Sequence, residues 1–293
     1  MTLTLPRAVR KYGMAYLFIA PVVLASVVFL LGPMLTSLWW SLNDYSGLQP
    51  PVFVGLKNYV ELLTNDALFR EALWNTTKFV ILGMSLGPTL GLLTALMLNE
   101  NVKFQAFFRT AYFLPVMTSL VVVSTLWRVL YNKQGLINAG LTALGFPAVG
   151  WLSDPNVALF SVVLASVWQG FGFETVVFLA ALKAIPRELY EAAMIDGAGA
   201  WARFWNVTLP QLRPVVLVAY IVGIIGSYQV FDQVFVMTAG GPIHATTTVV
   251  FYLFGKFQDL RLGYASAVAY ILFVILVVFS FIQWRFFGRE EAA

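Results

Sequence analysis

The sequence predicts an all-α polytopic membrane protein with six transmembrane helices, read as one domain over residues 1–293. Three observations predict it. Hydrophobic residues make up 60% of the chain and charged residues only 11%, where a soluble domain carries about 25% charged residues. Six apolar runs approach or exceed the roughly 20 residues that cross a bilayer as a helix. The lysines and arginines are unevenly divided between alternate connecting segments, the bias that orients membrane proteins.

The first run spans 12–42. Arg7, Arg10 and Lys11 precede its apolar part, as in a signal peptide. That part is longer than the roughly 7–15 residues of a signal peptide's apolar region, and no small-x-small cleavage site follows. A retained first span is expected, long enough to tilt or to bend near Gly32-Pro33. The segment 43–73 holds Asp44, Glu61, Asp66 and Glu71 against Lys57 and Arg70, and its apolar and aromatic content suggests a folded cap. In the second run, 74–98, Gly83, Gly87 and Gly91 form a flat stripe for close helix packing. Pro88 is placed to kink that helix. The third run is 110–130, followed by a segment with a short predicted helix at 136–144. The fourth and fifth runs, 157–182 and 214–237, flank a polar loop at 183–213, and the sixth is 263–287. Asn75-Thr76-Thr77 and Asn206-Val207-Thr208 fit the glycosylation pattern; the pattern is weak and both are discounted.

Arg7, Arg10, Lys11, Lys103, Arg109, Lys183, Arg187, Arg203, Arg213, Arg285 and Arg289 fall on one side of the alternating spans, eleven of the 18 Lys and Arg residues. The other side carries Lys57, Arg70, Lys78, Arg128, Lys133, Lys256 and Arg261. The positive-inside rule places both termini and the 183–213 loop in the cytoplasm.

That loop contains EAAMIDGAGAWARFWNVTLP at 191–210. Pro186 suits the first turn of a helix, and Glu188 and Glu191 suit its positive end. Ala192 and Ala193 keep the surface low enough for a partner's backbone. Gly197 and Gly199 end or bend the helix. A second helical stretch at 201–207 presents Trp201, Phe204 and Trp205, Leu209-Pro210 turns the chain back, and Pro214 opens the next span. The loop is either a docking surface or an interfacial hairpin with aromatic anchors.

Polar residues inside spans are costly and mark pathways. Ser166, Gln169, Gly170 and Phe173 share one helical face, and Glu174 follows. In the fifth span Gly223, Ser227 and Val230 share a face, with Tyr228, Gln229, Asp232 and Gln233 close by. Hydroxyls, amides and a flat ring suit a sugar; the alternative is polar helix–helix packing. Glu174 is a proton relay, a partner for Gln169 or for a cation of another subunit, or a group facing an aqueous cavity. The chain has no cysteine and one histidine, His244, so thiol chemistry and a His-cluster metal site are excluded. It lacks G-x-x-x-x-G-K-[ST] and so is no P-loop ATPase. It lacks G-x-S-x-G and paired intramembrane Asp residues, which argues against an intramembrane enzyme. A stand-alone secondary transporter would show repeated halves with broken helices, and no repeat is visible.

Glu191, Ala192, Ala193, Gly197, Val207, Leu209 and Pro210 stand at the spacing of the EAA motif, and the chain here resembles ABC-importer permeases; the family usually has Ile where Val207 stands. FRTAYFLP at 108–115, Gly240-Gly241-Pro242 followed by ATTT at 245–248, and LGYASA at 262–267 resemble segments of the carbohydrate-uptake branch. The resemblance covers nearly the whole chain and is greatest to the first permease of maltose-type importers. It implies the type I importer architecture in a bacterial or archaeal cytoplasmic membrane. It further implies a coupling helix in the groove of a cytoplasmic ATPase, with Glu191 and Asp196 near the contact. Two ATPase subunits would bind the ATP and Mg, and this chain no cofactor. Six spans are few for a sugar path, so a second permease, giving a heterodimer, is implied, with an external solute-binding protein and surrounding lipid but no nucleic acid. Gly170, Phe173 and Ser227 match cavity positions of the family's sugar-binding member most directly. Malto-oligosaccharide, trehalose, another oligosaccharide and glycerol phosphate all remain as cargo. The last is disfavoured by the lack of a deep Arg or Lys on the cavity faces.

Overall fold

The computed structural model describes the backbone of residues 7–100 and 103–287 and the side chains of 14–100, 103–104 and 106–285. The two chain ends with Arg289, and the side chains of Arg7, Arg10 and Lys11, lie outside the described residues. Among the described residues five helices are long and apolar enough to cross a membrane, and a bent pair supplies a sixth span.

The first span joins α1 (Arg7–Ser26) to α2 (Gly32–Ser41) through a wide π turn at Val27–Leu31. Pro33 lacks an N–H and its ring crowds the carbonyl four residues back. The helix responds just before it: Gly32 N–H donates five residues back, to Val27 O. The expected bend is thus a local widening. No residue from Met14 to Trp40 is buried by the rest of this chain.

The predicted cap at 43–73 is folded. Strands β1 (Asn43–Asp44) and β2 (Val52–Phe53) pair antiparallel, Asn43 opposite Phe53. Helix α3 (Lys57–Thr64) follows, and the buried Asn58 amide donates to the carbonyls of Ser41 and Asn43, at 2.9 and 3.0 Å. Helix α4 (Ala67–Asn99) begins at Ala67, earlier than the expected residue 74. Arg70 and Glu71 look like loop by composition, but Asp66 caps the helix there: Phe69 N–H donates to its Oδ1 at 2.8 Å.

The third predicted span is not straight. Helices α5 (Gln105–Met117) and α6 (Leu120–Leu130) meet at 101°. Thr118 and Ser119 between them take extended ψ values of 140° and 136°, which stops the helix where an apolar count sees one run. Helix α7 (Leu136–Ala143) is the short helix expected at 136–144. Helix α8 (Ala158–Ala184) is the fourth span.

Beyond α8 come α9 (Arg187–Ile195) and α10 (Ala200–Arg203). A second π turn at Phe204–Thr208 leads directly into α11 (Leu209–Tyr228). Leu209-Pro210 therefore does not turn the chain back. Leu209 N–H donates to Phe204 O, five residues back, and the π turn absorbs the proline as it does at Pro33. One helical rod of 29 residues runs from Ala200 to Tyr228. The fifth span ends at Tyr228 rather than 237, and a separate helix α12 (Asp232–Met237) follows. Helices α13 (Val249–Gln258) and α14 (Leu262–Phe287) complete the chain.

Helix α4 is the centre of the bundle. It packs along α8, and α11 lies on both. Three buried clusters follow it: Phe69, Ala72 and Met84 with Tyr252 and Val268 at one end, Phe79 with Val162 and Val234 in the middle, and Ala95 with Phe178 and Leu212 at the other.

Candidate functional site

Three regions carry chemistry: the α9 end, the exposed faces of α8 and α11, and the opposite end where α4, α13 and α14 meet.

At the α9 end, Glu191, Ala192, Asp196 and Gly197 are exposed and Ala193 is half-buried. Ile195 is 87% exposed and Trp201 74%, although the Trp201 ring touches those of Phe204 and Trp205. The end of α9 is built, not frayed. Gly197 N–H donates to Met194 O at 3.0 Å and Ala198 N–H to Ala193 O at 2.9 Å, with Gly197 at φ +79°. That pair of bonds is the Schellman closure, and it needs a left-handed residue. The Tyr190 hydroxyl and the buried Thr208 hydroxyl lie 3.0 Å apart and brace α9 against the rod that becomes α11. Leu209 and Pro210 are half-buried inside that rod. The sequence showed the helix and its stop; it did not show the rod, because prolines read as breaks.

On α8, Ser166, Gln169 and Gly170 are half-buried and Phe173 is 55% exposed. A Cβ at Gly170 would meet nothing within 4 Å. The Ser166 hydroxyl donates to Val162 O within its own helix, leaving its oxygen to accept. On α11, Ser227 lies 3.9 Å from Met84 Sδ. A Cβ at Gly223 would come within 2.6 Å of the same methionine's tip, so Gly223 makes room for Met84. Gln229 is exposed beyond the end of α11, and Asp232 is half-buried in the first turn of α12. Two expected path residues sit elsewhere. Tyr228 is 3% exposed and stacks in the core near Phe279, at 5.7 Å. A tyrosine one residue past Ser227 points about 100° around the helix, towards α14. Glu174 turns towards α4, over Gly87 and Gly91, and its Oε2 is buried with no hydrogen-bond partner among the described residues. The glycine stripe is the slot for this side chain. Gly83 takes no part in it, having nothing within 4 Å.

At the far end, the Asp66 carboxylate collects three elements. Tyr252 of α13 and Tyr264 of α14 both donate to its Oδ2, Tyr264 at 2.7 Å, while Oδ1 caps α4. Arg261 lies over the Tyr264 ring at 4.1 Å and pairs with Glu61 at 3.3 Å. Burial pushes the Asp66 carboxyl up, but the hydrogen bonds from Tyr252, Phe69 N–H and Tyr264, with the Lys256 charge, together hold it below its ordinary 3.8. A carboxyl depressed by folding stabilises the folded state fully above its unfolded value and loses that contribution as pH falls through the folded one. The thermal midpoint of the purified chain is therefore expected to fall as pH drops towards and below the ordinary 3.8, and Asp66→Asn to lower the neutral-pH midpoint and flatten that slope. An unchanged slope in circular dichroism melts would remove Asp66 as the cause.

The adjoining segment 238–248 is pinned by side chains. Asn75 donates to His244 O at 3.0 Å and to Thr247 O, and the Thr76 hydroxyl accepts from Val249 N–H at 2.9 Å. The hydroxyls of Thr246, Thr247 and Thr248 bond the carbonyls of Gly241, Gly240 and Val230. Asn75 is 2% exposed, so its glycosylation pattern is inaccessible in the fold. The LGYASA segment has a comparable reason: a Cβ at Gly263 would stand 2.1 Å from Asn43 O, and Tyr264 is the Asp66 donor. None of this network is visible as a motif of chemistry in the sequence, because its partners lie up to 198 residues apart.

Residues 87–287 match the family model for the binding-protein-dependent transport system inner membrane component. The chain is 36% identical to the trehalose/maltose transport system permease protein MalF of Thermococcus litoralis over 278 residues, covering 94% of each. It is 37% identical to the lactose transport system permease protein LacF of Rhizobium radiobacter, again over 94% of each chain. Among solved structures, a chain of a bacterial ABC transporter involved in the import of the acidic polysaccharide alginate superposes with a TM-score of 0.85 at 24% identity, over 97% of this chain and 98% of that one.

Proposed function

The chain belongs to the family of binding-protein-dependent transport system inner membrane components, and on that premise we propose that it is the permease of an ATP-driven importer of a di- or oligosaccharide. The observation that carries the coupling is the continuous rod from Ala200 to Tyr228. Its lower end is braced to α9 through Tyr190 and Thr208, and its upper end holds Ser227. A displacement of α9 is passed through the Tyr190–Thr208 brace into this rod and along it to Ser227.

In this reading the α9 end faces the cytoplasm and sits in a groove of one of two ATPase subunits, which bind ATP and Mg. Glu191 and Asp196 line the contact, Ala192, Ala193 and Gly197 allow close approach, and Leu209 and Pro210 sit in the rod that carries the motion. A second permease closes the path, and an external solute-binding protein delivers the sugar to the end formed by the β1–β2 hairpin, α3 and α13. Both termini lie in the cytoplasm. The sugar assignment is supported by the names of the relatives and by the open face of Gly170 and Phe173, a flat ring beside empty space.

Uptake of radiolabelled disaccharides into proteoliposomes holding the full complex tests it. Phe173→Ala and Ser227→Ala are each expected to lower the uptake rate by roughly tenfold, about 1.4 kcal/mol. Gly83→Ala, which meets nothing, leaves it unchanged. Equal uptake by all three variants would remove these faces from the path.

A further inference from the structure

A cleft of about 590 Å³ opens between α5 and α8 at the α9 end of the bundle, within the ~300–1,000 Å³ of small-molecule sites. It includes none of the path residues discussed above. Phe113, Leu114 and Met117 of α5 face Val176 and Leu179 of α8 across it. Leu114 is 64% exposed and Met117 74%, so the cleft is open along its side to whatever surrounds the helices. Arg109, near the start of α5, and Lys183, in the last turn of α8, line the same cleft. Neither has an ion pair or hydrogen bond to a side chain among the described residues. Two cations without an ion-pair partner among the described residues, lining a largely apolar slot, are complementary to one kind of molecule, an amphiphile with an anionic head.

We propose that this cleft binds one anionic phospholipid, its phosphate held between Arg109 and Lys183 and an acyl chain lying along Leu114, Met117 and Val176. The site rests on the reading of the α9 end as the cytoplasmic one, where anionic lipid meets basic pockets between spans. A zwitterionic lipid would fill the slot equally but leave the excess positive charge unmatched. The two long basic side chains reach the headgroup level from helix ends, as such residues do.

The test uses the full-length chain purified from membranes with the subunits it brings along. Equimolar phosphatidylglycerol and phosphatidylcholine are added in mild detergent, and retained lipid is counted by native mass spectrometry. The wild type is expected to retain phosphatidylglycerol over phosphatidylcholine by at least about fivefold, and R109Q/K183Q to bring that ratio close to one. R109K/K183R keeps the preference, which separates charge from misfolding, and Met117→Trp lowers retention of both lipids. A wild-type ratio near one, or an unchanged ratio in R109Q/K183Q, would overturn the site. Because the chain has no cysteine, Val176→Cys gives a single thiol; its efficient cross-linking to a co-purifying subunit would overturn it too, by showing protein in the cleft. Lipid retention without sugar uptake would count against the transport reading and leave this site standing.

Discussion

Gly197→Asp is expected to cut coupled sugar uptake at least about tenfold while ATP hydrolysis by the assembled complex persists, a loss of about 1.4 kcal/mol or more in productive coupling. Two costs combine at this position. Gly197 holds φ +79° to close α9, where residues other than glycine are disfavoured by roughly 1–2 kcal/mol, asparagine and aspartate least. It is also exposed beside Asp196, so a second carboxylate adds charge and bulk to the surface proposed to meet the ATPase. Gly197→Asn separates the two, since it tolerates the left-handed backbone and adds no charge. It is expected to retain most uptake, and Gly197→Val, which is β-branched and poorly suited to that backbone, to retain little. The readout is uptake and hydrolysis measured on the same proteoliposomes. Full uptake by Gly197→Asp would mean that α9 does not couple.

The second large effect is structural. Gly172→Ala places a methyl 2.0 Å from Tyr112 O and 2.8 Å from its carbonyl carbon. Backbone cannot rotate aside as a side chain does, so α5 and α8 must separate along their crossing. Overpacking of this kind costs typically 1–3 kcal/mol and sometimes more, a large share of a marginal stability. The expected result is a lower thermal midpoint and a reduced folded yield by size-exclusion fluorescence. Gly170→Ala, two residues away on the same helix with nothing within 4 Å, should melt like the wild type. Equal melts for Gly172→Ala and Gly170→Ala would show that the α5–α8 crossing is looser than its geometry.

Length and apolarity made five spans legible, since a bilayer imposes both on any sequence that crosses it. They could not show the break at Thr118–Ser119, because two helices at 101° have the same composition as one straight helix. Proline misled in the opposite direction. Pro210 looks like a turn, yet a π turn at Phe204–Thr208 keeps the rod continuous through it. At the α9 end the helix start, the exposed small residues and the glycine stop were all legible, being local. Along α8 and α11 the periodicity identified faces but not what each face meets. Adjacency in sequence groups Glu174 with Phe173, although a single residue's step turns it by about 100°, here into the slot of Gly87 and Gly91. Gly223 carried no sign in the sequence of the Met84 side chain it accommodates.

The Asp66 carboxylate also bears on the order in which the protein is made. Its tyrosine donors lie 186 and 198 residues further along the chain. During synthesis, which proceeds from the N-terminus, α4 enters the membrane with its capping aspartate in place but with Tyr252 and Tyr264 not yet made. The second span therefore waits, with a carboxylate lacking both phenol donors at its end, until the last span arrives to close the ring of elements around it. Until then water takes the place of both phenols on Oδ2 while Oδ1 already caps α4, so the ring of elements around Asp66 closes only when the chain is nearly finished.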